Sequence, residues 1–479
     1  NHEHRQGQFD IGGKLDEEGD VLFRAVGVYR DAEYDIEQLN NDVRLLAPSL
    51  SWQIDADTRL TLLAPALLTL LPLLTPLLGL ALLVDGLEAD WIVDGQVIDE
   101  QGFSMAPRQT RSLQLEYTFA VPGPHHVDPP CRHFATCGGC QLQQADEDTL
   151  RQFVTDRVLH AADAQQIDIG EVLPTHLSPP RTRRRATLHA LRTAHGSVMG
   201  FRESGSHRIV DLQECHIIVP ELFDLVTPLK ELVALHGEKR PLDIELTVTD
   251  QGVDCTLKGI EAEGLAATEG LLDFARENGL ARLSLDRGYG AETVWEPEPL
   301  TITLGDIPVP FPQGSFLQPT GDGEKVLIDD AIDFCAGAAT IADLFSGLGT
   351  FAFALCGPRK VLAVEAARDA HLACKAAANA RQAPVLTLHR DLFRNPLQPD
   401  EAGRFGAIVL DPPRAGAREQ ILQIAASEAT RVAYVSCNPV SWSRDARVLI
   451  DAGFRLEKLR PVGQFRWSTH VELTSYFTR

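Results

Sequence analysis

At 479 residues the chain is long enough for about two to four folded domains with sizeable cores. Its 67 Asp and Glu outnumber 44 Lys and Arg, giving a net charge of −23. That balance excludes a protein that coats nucleic acid through overall positive charge, while leaving room for a local basic groove. Residues 1–125 carry more than half of the net negative charge. Within them residues 60–84 contain no charged side chain and are long enough to span a bilayer. Pro65, Pro72 and Pro76 interrupt this run, and each removes a helix hydrogen bond that lipid cannot replace. A buried or poorly ordered segment is expected, not a membrane span, and residues 1–125 receive no function. The first residue is Asn1 rather than Met, which is compatible with a fragment, a processed product or a displaced start.

Next along the chain, Cys131, Cys137 and Cys140 fall within one short stretch, the last two separated by Gly138-Gly139. Tight glycines let three thiolates share one small turn, a geometry that a metal cluster needs and a packed core does not. A fourth thiol would close the site, and Cys215, in Gln213-Glu214-Cys215-His216, is the best candidate. Zinc is the rival, but Cys₄ zinc sites usually arrive as two Cys-x-x-Cys pairs, and here there is one pair and two singles. Iron–sulfur is the expected occupant of the 126–185 segment, with Cys215 supplied from the next domain. Cys255, Cys335, Cys356 and Cys374 sit in apolar stretches and read as small core residues. The run Arg181, Arg183, Arg184 and Arg185 is either a basic groove or an ordinary solvated strand face. Residues 187–192 and 198–202 flank His195-Gly196, and 245–249 and 253–257 flank Asp250-Gln251-Gly252. Both read as strand pairs, so 186–324 is expected to be a β-rich domain.

From residue 325 to 479 short apolar strands alternate with helices. Strands are expected at 339–345, 361–365, 385–388, 407–410 and 432–435. This order predicts an α/β domain with a parallel sheet covered on both faces and ligands at the carboxyl ends of the strands. The glycines of Gly347-Leu348-Gly349 allow close backbone approach, and Glu365 ends the second strand where a carboxylate can accept ribose hydroxyls. The third glycine of a dinucleotide fingerprint is missing. The segment Asp343-Leu344-Phe345-Ser346-Gly347-Leu348-Gly349-Thr350 resembles instead the first motif of S-adenosylmethionine methyltransferases, a fold that expects acids such as Asp391 and Asp411 at the following strand ends.

Two further motifs lie on the same edge, Asp411-Pro412-Pro413-Arg414-Ala415-Gly416 and Ser436-Cys437-Asn438-Pro439. A thiol beside a methyl donor has a specific use: C5 of uracil is a poor nucleophile until a thiolate adds to C6 and sends electron density to C5. Cys437 is placed for this, because Asn438-Pro439 breaks the strand and leaves the thiol at a turn. The adduct must then lose its C5 proton to a base. His470 and Glu472 are candidates, two residues apart and on one face if that stretch is extended.

Five ordered motifs over residues 125–479 resemble those of the RNA uridine-5-methyltransferases, specifically the iron–sulfur members that act on bacterial ribosomal RNA. They are Cys131 to Gln143, Ser315-Phe316-Leu317-Gln318, Asp343 to Thr350, Asp411 to Gly416, and Ser436 to Pro439. The resemblance implies a Rossmann-like methyltransferase domain at 325–479, a central mixed β domain that presents RNA, and a small iron–sulfur segment. It implies that Cys131, Cys137, Cys140 and Cys215 ligate a [4Fe-4S] cluster. It further implies that Gln318, Phe345, Thr350, Glu365, Asp391 and Asp411 bind S-adenosylmethionine, with Cys437 as nucleophile and Glu472 as base. RNA is the implied partner, and a cytoplasmic monomer without membrane attachment is expected. The chain departs from the family at Pro319-Thr320, where Val-Asn is frequent, and at Thr350, where Asn is frequent. The small RNA-binding TRAM barrel that opens many members has no legible pattern in 1–125. Two other functions compete: an amino-methyltransferase acting on adenine, which shares Asp-Pro-Pro but needs no cysteine, and a noncatalytic iron–sulfur RNA-binding protein.

Overall fold

The computed structural model describes residues 125–479 apart from 238–239 and 261–263, together with the backbone of seven strands nearer the start of the chain. Two compact units result, Asn1–Gly123 and Pro124–Arg479. In the first, strands His4–Lys14, Val21–Ala32, Val43–Gln53, Arg59–Leu63 and Gln114–Glu116 form an antiparallel sheet in that order. Its elements were not legible in the sequence. Most of the uncharged 60–84 run, residues 64–84, lies outside the described residues. Among the described residues no helix is long and apolar enough to cross a membrane.

The second unit begins with the cysteine loop and then α1 (Glu147–Asp163), whose N-cap Asp146 accepts from the Thr149 N–H at 2.8 Å. Leu150, Val154, Val158 and Ala162 recur every four residues and form its buried stripe. Strands β1 (Ile169–Val172) and β2 (His176–Leu177) follow. The central sheet comprises β3 (Arg185–Thr193), β4 (Gly196–Gly200), β5 (Leu242–Thr249), β6 (Gly252–Lys258), β7 (Leu280–Asp286) and β8 (Ala291–Trp295), with α2 (Val226–His236) before β5 and α3 (Leu265–Glu277) before β7. Its order is β4-β3-β5-β6-β7-β8, antiparallel except for β6 and β7, which α3 connects as a parallel crossover. Both expected hairpins are present. Along β5, Leu242, Ile244 and Leu246 alternate inward and meet Leu229 and Val233 of α2 and Leu271 of α3 in one core.

The methyltransferase-like part contains α4 (Gly321–Phe334), β9 (Thr340–Leu344), α5 (Thr350–Cys356), β10 (Lys360–Glu365), α6 (Arg368–Arg381), β11 (Val385–His389), β12 (Ala407–Leu410), β13 (Arg431–Ser436), α7 (Pro439–Asp451), β14 (Arg455–Gly463) and β15 (Glu472–Thr478). All five expected strands form, within a residue or so of their expected ends. The sheet runs β11-β10-β9-β12-β13-β15-β14-β1, and β2 also pairs with β14. It is parallel through β13, while β15 is antiparallel to both neighbours. Ala407, Ile408, Val409 and Leu410 are all buried, as a strand covered on both faces requires. The 126–185 segment does more than carry cysteines, because its β1 and β2 complete this sheet and its α1 packs in the same core as Trp442, Phe454 and Leu459. Cys255, Cys335, Cys356 and Cys374 are buried, as expected.

Candidate active site

The carboxyl ends of β9, β10, β12 and β13 form one edge, and its backbone is shaped for close approach. Phe345 leaves β9 with a φ of 63°, and Gly349 has a φ of 97°. A Cβ on Gly349 would stand 2.7 Å from the Phe353 ring and 2.9 Å from Cys374 Sγ, so only glycine fits. The Gly347 N–H donates to Glu365 Oε2 at 2.8 Å, and the Ala367 N–H donates to Oε1 at 2.6 Å. Asp391 Oδ1 accepts from the Phe393 N–H at 3.0 Å, and the Phe393 ring lies 5.4 Å from that of Phe345. Phe393, which sequence reasoning missed, therefore shares this edge with Phe345. Thr350 is the first residue of α5. Across the edge, Gln318 Nε2 donates to Asp411 Oδ2 at 3.0 Å.

Three carboxyls here are held above their ordinary range. Burial lifts Asp343 well up, helped by the charges of Asp411 and Glu365. Burial lifts Asp411 to about 7 against the hydrogen bond from Gln318, and burial with the Asp411 charge lifts Glu472 to about 8. A cation bound beside them would favour their ionised forms, and the sulfonium of S-adenosylmethionine has that charge.

Cys437 follows β13. Asn438 caps α7, accepting from the Val440 N–H at 3.2 Å, while its Nδ2 donates to the Arg414 carbonyl at 2.9 Å. Ser441 Oγ donates to the same carbonyl at 2.9 Å. Buried Asp445 accepts from the Ala417 N–H and the Tyr434 hydroxyl, both at 2.7 Å. These bonds fix the Asp411–Gly416 loop beside the thiol. Burial, then the charges of Glu472 and Asp411, push the Cys437 thiol up to about 11, with Arg414 opposing. Cys437 and Glu472 both line a cavity of about 700 Å³, together with Arg183, Arg185, Arg414 and His470.

The stretch before Glu472 is not extended. Residues 465–469 turn, with Trp467 at a φ of 59°, and Glu472 opens β15 while His470 stays on the exposed rim. Burial, then Arg414 and Arg183, pull His470 down. The basic run divides: Arg183 and Arg185 line the cavity, whereas Arg184 turns away to pair with Glu324 at 2.6 Å. Arg183 lies over the Phe465 ring at 5.3 Å and Arg185 over the exposed Phe316 ring at 4.8 Å. Guanidinium and ring pairs at a cavity mouth suit phosphates and unstacked bases. If the ionised form of Glu472 is required, kcat/KM should rise with pH through about 8. A pH–rate profile checks this, and Glu472→Gln should remove that limb.

Comparison with known proteins places this geometry. The model of the tRNA (uracil-5-)-methyltransferase family matches residues 396–479, the segment that holds Asp411, Cys437 and Glu472. An uncharacterized RNA methyltransferase of Zymomonas mobilis is 47% identical over 358 residues, covering 74% of this chain and 90% of its own length. The 23S rRNA (uracil(1939)-C(5))-methyltransferase RlmD of Pectobacterium atrosepticum is 32% identical over 375 residues, covering 74% of this chain and 81% of its own. The chain belongs to the RNA (uracil-C5)-methyltransferase family. The tRNA (uracil-54, C5)-methyltransferase of Pyrococcus abyssi, solved with S-adenosyl-L-homocysteine, superposes with a TM-score of 0.60 over 82% of this chain and 91% of its own, at 20% identity, so the fold is shared. At the level of reaction class, this family member is an S-adenosylmethionine-dependent RNA (uracil-C5)-methyltransferase, and the noncatalytic and adenine readings fall away.

Cys131, Cys137, Cys140 and Cys215 of this methyltransferase line a second, smaller cavity with Phe201, Leu212 and Ile217. Burial raises the first three thiols, Cys140 to about 12, and the charge of Cys215 raises each further. As thiolates, four such groups need a cationic centre, so the donor set fits a metal group. Among the described residues no three His, Cys, Asp or Glu side chains converge tightly enough to hold one metal ion. The loop is tied to both neighbours: the Gly138 N–H donates to the Arg202 carbonyl at 2.8 Å, and the Gln141 and Leu142 N–H groups donate to the Trp467 carbonyl at 2.7 and 3.0 Å.

Proposed function

We propose that the chain methylates C5 of a uridine in ribosomal RNA through a covalent bond between Cys437 Sγ and C6. The observation that carries this reading is that Cys437 and Glu472 wall one cavity at the carboxyl edge of the sheet. Sγ adds to C6, C5 then takes the methyl group from the sulfonium, Glu472 removes the C5 proton, and the Sγ–C6 bond breaks to restore the double bond. Gln318, Phe345, Thr350, Glu365, Asp391 and Asp411 would hold S-adenosylmethionine, which supplies the methyl group and leaves as S-adenosylhomocysteine. A uridine in structured RNA must unstack to reach Cys437, at a cost of about a few kcal/mol. Incubation with 5-fluorouracil RNA tests the adduct, because fluorine at C5 cannot leave as a proton and the complex should survive denaturation. A mixture with no covalent species counts against the mechanism. The ribosomal target is supported by the likeness to RlmD, and mass mapping of methylated uridines in RNA from a deletion strain tests it.

We further propose that Cys131, Cys137, Cys140 and Cys215 hold a [4Fe-4S] cluster. The reading is supported by the four thiols lining one cavity and by their spacing, one Cys-x-x-Cys pair and two singles, which departs from the two pairs usual at Cys₄ zinc sites. Protein purified without oxygen should be brown, with about four irons and matching labile sulfide. Stoichiometric zinc without sulfide would overturn the cluster. Cys215→Ser should lose the iron and lower the melting temperature more than it slows methyl transfer per folded molecule.

A further inference from the structure

Glu472 and the cofactor-side residues are joined by a side chain that no sequence motif singled out. Gln464, just beyond β14, is 2% exposed. Its Nε2 donates to Gln318 Oε1 at 3.1 Å and also to Glu472 Oε2. Its Oε1 accepts from Thr320 Oγ1 at 3.4 Å. The orientation of the amide follows from its surroundings. In its ionised form, the one that acts as a base, Glu472 only accepts, and the NH₂ group faces it. Thr320 Oγ1 accepts from the Gly323 N–H at 3.1 Å as the cap of α4 and also lies 2.9 Å from Ser178 Oγ, so its hydroxyl serves both Ser178 and Gln464 Oε1. The two amide hydrogens go one to Glu472 and one to Gln318. Gln318 in turn donates to Asp411.

The fold keeps space for this side chain. A Cβ at Gly323 would stand 2.4 Å from Gln464 Cγ and 2.6 Å from its Cδ and Oε1. Gly323 lies in the first turn of α4, and alanine is the better helix former. Glycine at this buried position is explained by the room that Gln464 occupies.

We propose that Gln464 is the positioning residue for proton removal, holding Glu472 by Oε2 so that Oε1 takes the C5 proton, and linking that carboxyl through Gln318 to the cofactor side. The inference rests on the reading of Glu472 as the base. The bond also favours the ionised carboxylate, opposing the burial that raises it.

Gln464→Leu removes both donors, and Gly323→Ala leaves the amide in the sequence but displaces it. Both variants should bind S-adenosylmethionine within about threefold of wild type and transfer the methyl group in a single turnover. Both should release product about 10- to 100-fold more slowly, up to what a small misplacement of a catalytic group costs, with methylated RNA accumulating on Cys437. The rising limb of the pH profile should move to higher pH, since a donor to the ionised form has been lost. Release at the wild-type rate with an unmoved profile in Gly323→Ala would overturn the proposal, as would equal losses of cofactor binding, transfer and release, which would mark a purely structural role. Should Gln464→Leu not fold, Gly323→Ala decides alone. If wild-type enzyme forms no fluorouracil adduct, the covalent mechanism has failed rather than the role of Gln464.

Discussion

Cys437→Ala should bind S-adenosylmethionine as the wild type does and transfer no measurable methyl group, a loss of at least about 10,000-fold, as when a catalytic nucleophile is removed. Cofactor binding should survive because Phe345, Glu365 and Asp391 hang from β9, β10 and β11, and the bonds that set the neighbouring loop come from Asn438, Ser441 and Asp445 rather than from the thiol. The loss should be near-complete because unactivated C5 has no other route to the methyl group. Single-turnover assays with labelled cofactor measure the rate, and denaturing gels with 5-fluorouracil RNA measure the adduct. A variant that retains a few per cent of wild-type transfer would remove covalent catalysis from consideration.

Glu472→Gln should stop the reaction one step later. Thiol addition and methyl transfer need Cys437 and the cofactor, whereas release needs a base at C5. Methylated RNA should therefore remain covalently bound, and turnover should fall by about 100- to 10,000-fold. Removing this carboxyl also removes a negative neighbour that raises the Cys437 thiol, so the adduct should form at lower pH than in the wild type. Both effects are read from one experiment, the covalent fraction as a function of pH. Free product at the normal rate would move the role to His470 or to water.

The parallel strands and the cofactor edge were legible because short apolar runs end in Gly, Asp or Asn-Pro, which is local chemistry. That Cys131, Cys137 and Cys140 share one turn was legible from their spacing and glycines, whereas the fold brings Cys215 from 75 residues on to the same cavity. That Glu472 lies buried while His470 is exposed was not legible, since the turn at 465–469 leaves one at the rim and carries the other into the sheet. Gln464 gave no signal because its meaning comes from Thr320, Gln318 and Gly323, more than a hundred residues earlier in the chain. The departure at Thr320 is reconciled in the same way, since its hydroxyl still caps α4. Likewise nothing local marked β1 and β2 as strands of a sheet whose other members begin at residue 340.

That last pairing bears on how the molecule is made. Ile169 lies beside Leu456, and His176 beside Val462, so the ribosome must deliver the chain through β14 before β1 and β2 find their partner. The central sheet, whose strands all lie between residues 185 and 295, can form before the catalytic sheet, which closes only once β14 and β15 have been made, a long-range step of the slow kind. Until then the apolar stripe of α1 has no β14 to cover it, so the nascent enzyme passes through a stage in which chaperones have something to hold.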